Sequence, residues 1–231
     1  KLRYQESDPL FKVVYVCSNQ NIARQNIRKL VLSSEISSAD DISETRLSMQ
    51  HLRVEEQEIA AKEKGQYIQL IPITPQTSFR VTQGAGSIDE RALMFTVLSK
   101  LPELKESPHL YDKLNIVLKF RVKDDSWNSR VWGYTKRVEL CNSKTGGIYP
   151  DNVLSEIKAS SIFTEMMHYI NERQHHNDVV SGDYQHISKL RRLFAEISVG
   201  RLNPDLVIMD EFQRFKYLIN SDPETETGML A

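Results

Sequence analysis

Three short apolar runs constrain this chain more than anything else in it: VVYVC at residues 13 to 17, YIQLIPI at 67 to 73 and DLVIMD at 205 to 210. Each is rich in β-branched residues, shows little alternation of polar and apolar positions, and is too short for a buried helix. That is the pattern of a strand covered on both faces, as in parallel sheets. Separated by helical material, such strands predict an α/β layer fold with a parallel sheet. VVYVC runs through Ser18 and Asn19 into a segment where Ile22, Ala23, Asn26, Ile27 and Leu30 fall at helical spacing. This reads as strand, tight turn and helix, with Ser18 or Asn19 as the cap. Pro72 places the second strand near a sheet edge or at its own end.

The intervals between these strands are uneven. Residues 33 to 50 are rich in Ser, Asp and Thr and read as a long loop, whereas VEEQEIAAKEKG, 54 to 65, reads as a charged surface helix stopped by Gly65. Between Gly84 and Gly200 the pattern is mostly helical: IDERALMFTVLSKL, HLYDKLNIVLKFRV, NVLSEIKASSIFTEMMHYINERQ and YQHISKLRRLFAEISV. That block is too long for an ordinary crossover. The expected organisation is a sheet portion at 1–83, an inserted helical subdomain at 84–199, and a return to the sheet portion at 200–231.

A chain of 231 residues can bury a real core. Its Lys and Arg, 30, nearly balance its Asp and Glu, 31, so no global field draws it to nucleic acid or anionic lipid. Any polyanion must be held by a local patch. No apolar run approaches the roughly 20 residues that span a bilayer, and KLRYQESDPL has no apolar signal core. The expectation is a cytoplasmic protein without a membrane partner. Cys17 and Cys141 match no metal or redox spacing and are expected to be reduced thiols. The chain opens at Lys1 and closes on SDPETETGMLA, and reads as a fragment of a longer protein.

A strand that ends in Asp210 and Glu211 delivers two carboxylates to the crevice where ligands of open α/β sheets bind. The Asp can hold Mg²⁺ against the phosphates of a nucleotide, and the Glu can position or deprotonate the attacking water. The competing reading is a strand that simply ends in acidic residues and turns into solvent.

Beyond the carboxylates, VIMDEFQRF resembles motif II, the Walker B box, of superfamily-two (DEAD/DEAH-box-like) helicases and related nucleic-acid-dependent ATPases, in its DEFQ form. VVYVCSNQNIARQNIRKL resembles motif Ia of that family, and LIPITPQTSF resembles its motif Ib loop; the three occur in the family's order. The resemblance covers roughly residues 10 to 32, 66 to 83 and 200 to 220. It implies a partial RecA-like P-loop NTPase domain with a large, mainly helical insertion. It further implies Asp210 as the Mg²⁺ ligand with ATP, Glu211 as the catalytic base, and Gln213 in the network coupling ATP to nucleic acid. Ser18, Asn19 and Gln20 of motif Ia, with Thr74, Thr77 and Ser78 of motif Ib, would contact a DNA or RNA backbone through hydroxyls, amides and helix N-terminal N–H groups. Capping and turn formation are the structural alternatives for these polar residues.

The sequence departs from that family in several large respects. No G-x-x-x-x-G-K-[ST] loop occurs, since Lys144-Thr145 precede the glycines in NSKTGGIY. A Ser-Ala-Thr motif III and a second RecA-like domain with its arginine finger are also missing from this sequence. The chain is therefore expected to carry half of an ATP site, to be inactive alone, and to self-associate through exposed sheet edges. The alternative is a non-catalytic nucleic-acid or protein binding module with a relic motif II. A PD-(D/E)xK nuclease fails on spacing, because Gln213 stands where its Lys would be.

Weaker signals lie in the helical block. Arg121, Lys123, Arg130, Lys136 and Arg137 interleave with Trp127, Trp132 and Tyr134, either as a single-strand stacking site or as core anchors among surface charges. Arg191 and Arg192 are expected on a solvated helix face. His168, His175, His176 and His186 raise the thought of zinc, which the lack of a nearby cysteine argues against.

Overall fold

VVYVC forms most of β1, Phe11–Val16, and the segment after it forms α1, Gln20–Leu30. A three-residue strand β2, Ile36–Ser38, and a 3-10 turn, Leu47–Met49, lead into α2, Gln50–Lys64, which hands on to β3, Ile68–Ile73. The helical stretch comprises α3 Ile88–Leu98, α4 Pro102–Lys105, α5 Pro108–Lys119, α6 Asp124–Lys144, α7 Ile148–Lys158, α8 Ser161–Glu172 and α9 Ser181–Leu202, and the chain then returns as β4, Leu206–Met209. These elements come from a computed structural model that describes residues 10–17, 20–30, 36–38, 46–74, 84–174 and 179–210. The chain divides into two compact units, Lys1–Arg80 with Ser198–Ala231, and Val81–Ile197.

The first unit is built on a parallel sheet in the order β2-β3-β1-β4. Alternation along β1 explains why the run has no polar face. Val13, Tyr15 and Cys17 pack with Ala23 and Ile27 of α1 and Leu70 of β3. Lys12, on the opposite face, forms a 2.6 Å ion pair with Glu58 of α2, and Gln69 beside it donates to Gln57 of the same helix at 2.9 Å. Helices thus cover both faces of β1, as a continuous apolar strand requires, but the expectation of the same burial for DLVIMD is corrected: β4 lies at the sheet margin with Leu206, Val207 and Met209 exposed. Gly65 ends α2 as expected, in the left-handed region at φ 64°.

Three further sequence expectations are corrected in detail. Residues 33–50 are not all loop, since β2 and the 3-10 turn lie within them. The charged helix begins earlier, at Gln50, and its first turns are buried rather than solvated. Pro72 lies at the end of β3, one of the two places expected for it; the strand is interior and Pro72 is paired with Tyr15. It is tolerated because the Ile73 carbonyl faces β1, accepting the Cys17 N–H, so Pro72 faces the β2 side, where β2 has already ended opposite Leu70. Finally, residues 152–174 form two helices, α7 and α8, because the Ser160 hydroxyl caps a new N-terminus by accepting from Ile162 N–H at 3.2 Å.

The helical unit is organised around α3, which starts at a capping box between Ser87 and Glu90 and is buried along nearly its whole length. Trp127 of α6 is 1 % exposed, tilts against Phe95 of α3 and donates its indole N–H to Asn115 at 2.7 Å. Arg191, expected in solvent, is fully buried: it pairs with Glu90 at 3.2 Å and donates to the Gly84 carbonyl at 2.8 Å. Its partner lies too far away in sequence for local periodicity to reveal it. Arg192 is half-buried and pairs with Glu196 one turn on.

Candidate functional site

The parallel register brings three remote segments to one sheet edge. Val16 is paired with Ile73 on one side and with Met209 on the other. The next residues, Cys17, Thr74 and Asp210, therefore leave the sheet side by side at its carboxyl edge. Two backbone hydrogen bonds close this end, Cys17 N–H to the Ile73 carbonyl at 3.0 Å and Asp210 N–H to the Val16 carbonyl at 2.9 Å. At the opposite end Asp205 fixes β4 to β1 twice, accepting the Lys12 N–H on Oδ2 and donating its own N–H to the Lys12 carbonyl, both at 2.9 Å.

Asp210 is half-buried and belongs to a closed ring of three polar groups. The Tyr15 hydroxyl donates to Asp210 Oδ2 at 2.5 Å. The Asn26 amide nitrogen of α1 donates to the same oxygen, at 2.8 Å, and to the Tyr15 hydroxyl, at 2.9 Å. Among the described residues no donor reaches Oδ1. Burial, followed by the hydrogen bond to Asp210, pushes the Tyr15 phenol well above its ordinary value, so it remains a donor throughout the physiological range. Tyr15 and Asn26 were not singled out as site residues by sequence. A signal existed, because Asn26 is the one polar residue in the otherwise apolar positions of α1 that face the sheet.

Of the other residues expected in the site, Thr74 is at the right edge but only 1 % exposed, so its hydroxyl is not presented to a ligand. Gln20 opens α1. Ser18, Asn19, Thr77, Ser78, Glu211 and Gln213 lie outside the described residues. One carboxylate, held from one side and carrying a second oxygen without a described donor, suits a cation such as Mg²⁺ that keeps most of its water. Among the described residues no group of three His, Cys, Asp or Glu side chains could enclose a metal ion.

The helical unit offers less. Trp127 and Tyr134 are core anchors, whereas Trp132 is 62 % exposed with the Lys136 ammonium 3.7 Å from its ring centroid. An open cleft of about 390 Å³ is lined by Thr164, Glu165, His168, Tyr169, Glu172 and His186. Both imidazoles are engaged there, His168 with Glu172 at 3.1 Å and His186 with the Gly182 carbonyl at 2.9 Å, and His186 stacks on the Tyr169 ring. His175 and His176 lie outside the described residues. Compared with known proteins, the chain matches no family model, no curated protein and no solved structure, and its site is read from its own geometry.

Proposed function

We propose that this chain supplies the carboxylate side of the nucleotide site in a nucleic-acid-dependent ATPase of the superfamily-two helicase type, with a partial RecA-like fold and a helical insertion. The observation that supports this reading is the register: the strands leading into the segments that resemble motifs Ia, Ib and II end together at one carboxyl edge, with Asp210 directly after the last strand. In this reading Asp210 holds Mg²⁺, which neutralises nucleotide phosphate charge when bound. Glu211 activates the attacking water, Gln213 couples the two ligands, and Ser18, Asn19, Gln20, Thr77 and Ser78 contact a DNA or RNA backbone. Hydrolysis needs a phosphate-cradling loop that this sequence does not contain, so the chain by itself is inactive and the activity belongs to the full-length protein.

A second reading is favoured by the two hydrogen bonds on Asp210 Oδ2, which make the residue a structural tie between β4, β1 and α1. The chain is then a non-catalytic binding module. Nucleic-acid-stimulated ATPase activity of the full-length protein separates the two. Under the ATPase reading Glu211→Gln abolishes stimulated turnover while nucleotide still binds; an absence of turnover in the wild type, or an indifferent substitution, leaves the binding module.

A further inference from the structure

Two polar groups stand where an apolar layer is expected. Tyr15 is buried in the cluster between β1 and α1, and Asn26 occupies a position of α1 whose neighbours Ala23 and Ile27 are core residues. Packing alone asks for Phe and Leu there. Each polar group would cost free energy if unpaired, and both are satisfied by the same atom, Asp210 Oδ2, and by each other. The ring uses the phenolic hydrogen on Oδ2, and the Asn26 amide nitrogen lies within hydrogen-bonding distance of both Oδ2 and the Tyr15 hydroxyl oxygen. Asp210 itself follows an edge strand and, without the ring, would be free to rotate about its side-chain bonds.

We infer that Tyr15 and Asn26 are positioning residues, which hold the Asp210 carboxylate in one orientation with Oδ2 engaged and Oδ1 turned to a divalent cation. The inference rests on the ATPase reading proposed above and adds to it the source of the carboxylate's orientation. Partners that orient a metal-binding carboxylate change metal affinity as well as rate when removed. The tie and the ligand are chemically separable. An Asn at 210 has an amide oxygen that can accept from both Tyr15 and Asn26, keeping the ring, but it has no second carboxylate oxygen for a cation.

The test uses the full-length protein, Mn²⁺ as a paramagnetic stand-in for Mg²⁺, and a non-hydrolysable ATP analogue, with free Mn²⁺ followed by electron paramagnetic resonance and the fold by thermal unfolding. Asp210→Asn is expected to abolish the analogue-dependent Mn²⁺ site at an unchanged Tm. Tyr15→Phe, which keeps the ring in its core slot, and Asn26→Leu are each expected to weaken Mn²⁺ binding by about 10-fold. Should Asn26→Leu not fold, Asn26→Ser, which keeps a donor too short to reach, replaces it with the same expectation. Wild-type Mn²⁺ affinity in Tyr15→Phe and the Asn26 variant, alongside loss in Asp210→Asn, overturns the positioning role and leaves the ATPase reading standing. Wild-type affinity in Asp210→Asn overturns the metal role of Asp210, and the positioning inference with it.

Discussion

Asp210 in the sheet unit and Asp183 in the helical unit are both carboxylates held by a tyrosine and a second side chain, yet they are finished differently. Asp183 is fully buried and accepts on both oxygens: Tyr169 hydroxyl and Arg173 Nε reach Oδ1 at 2.8 and 3.0 Å, while Arg173 Nη2 and Val180 N–H reach Oδ2 at 3.1 and 3.0 Å. Its charge is cancelled by a guanidinium and its hydrogen-bonding capacity is used up. Asp210 is half-buried, its two side-chain donors are neutral, and both fall on one oxygen. The first arrangement fixes the junction between α8 and α9. Among the described residues the second leaves charge and one oxygen to spare, which is what a ligand needs.

The contrast is broken most forcibly at Asp183. Arg173→Met leaves a buried carboxylate without its countercharge and is expected to cost about 3–5 kcal/mol in chemical denaturation, whereas Asp210→Asn, which keeps an acceptor for both donors, is expected to cost less than about 1 kcal/mol. Equal losses would erase the distinction between a structural and a spare carboxylate.

The sheet unit also contains a buried base. His51 is fully buried and, through burial first and the nearby Arg201 charge second, is pushed down to about 3. The folded protein therefore keeps this imidazole neutral while the unfolded chain takes up a proton below its ordinary value of about 6.5. Stability is full above that value and falls as pH drops toward 3, by at most about 1.4 kcal/mol per pH unit from this group. Glu55, whose carboxyl burial raises, acts with the opposite sign. The His51 contribution is thus read as the difference in acid sensitivity between wild type and His51→Gln, and identical pH profiles would refute it.

The smallest expected effect concerns edges, which a sheet has and a helical unit lacks. β4 is an outer strand, with Leu206, Val207 and Met209 exposed. The isolated chain is expected to self-associate weakly through this strand, and Val207→Lys to suppress it. A monodisperse wild-type monomer by light scattering across a concentration series would remove that expectation.

How much of this could be read from sequence depended on whether the determining contact was local. β1 and β3 were legible because burial on both faces writes itself into consecutive residues, and β4 was legible as a strand from the same apolar run although it lies exposed at the sheet margin. β2 was not, since three residues in a polar stretch carry no such run. α6 was missed as a helix because its exposed face bears Trp132 and Leu140 among its charges, which blurs the apolar stripe. Arg191 was misread because Glu90 and Gly84, which neutralise and cap it, are remote in sequence. In the site, the carboxylate was visible as the end of an oily strand. Its two holders were hidden in plain apolar patterns, where only the polar tip of Tyr15 and the oddity of Asn26 marked them.

Pro72 gives the sheet a direction of growth. Its ring nitrogen faces the side where β2 stops, so a strand arriving there to extend the pairing past Leu70 finds no hydrogen to accept. β4, at the other margin, carries no proline and no charge along Leu206–Met209. Additional strands, whether from the same polypeptide or another, are steered toward β4, which is also the flank on which Asp210 lies.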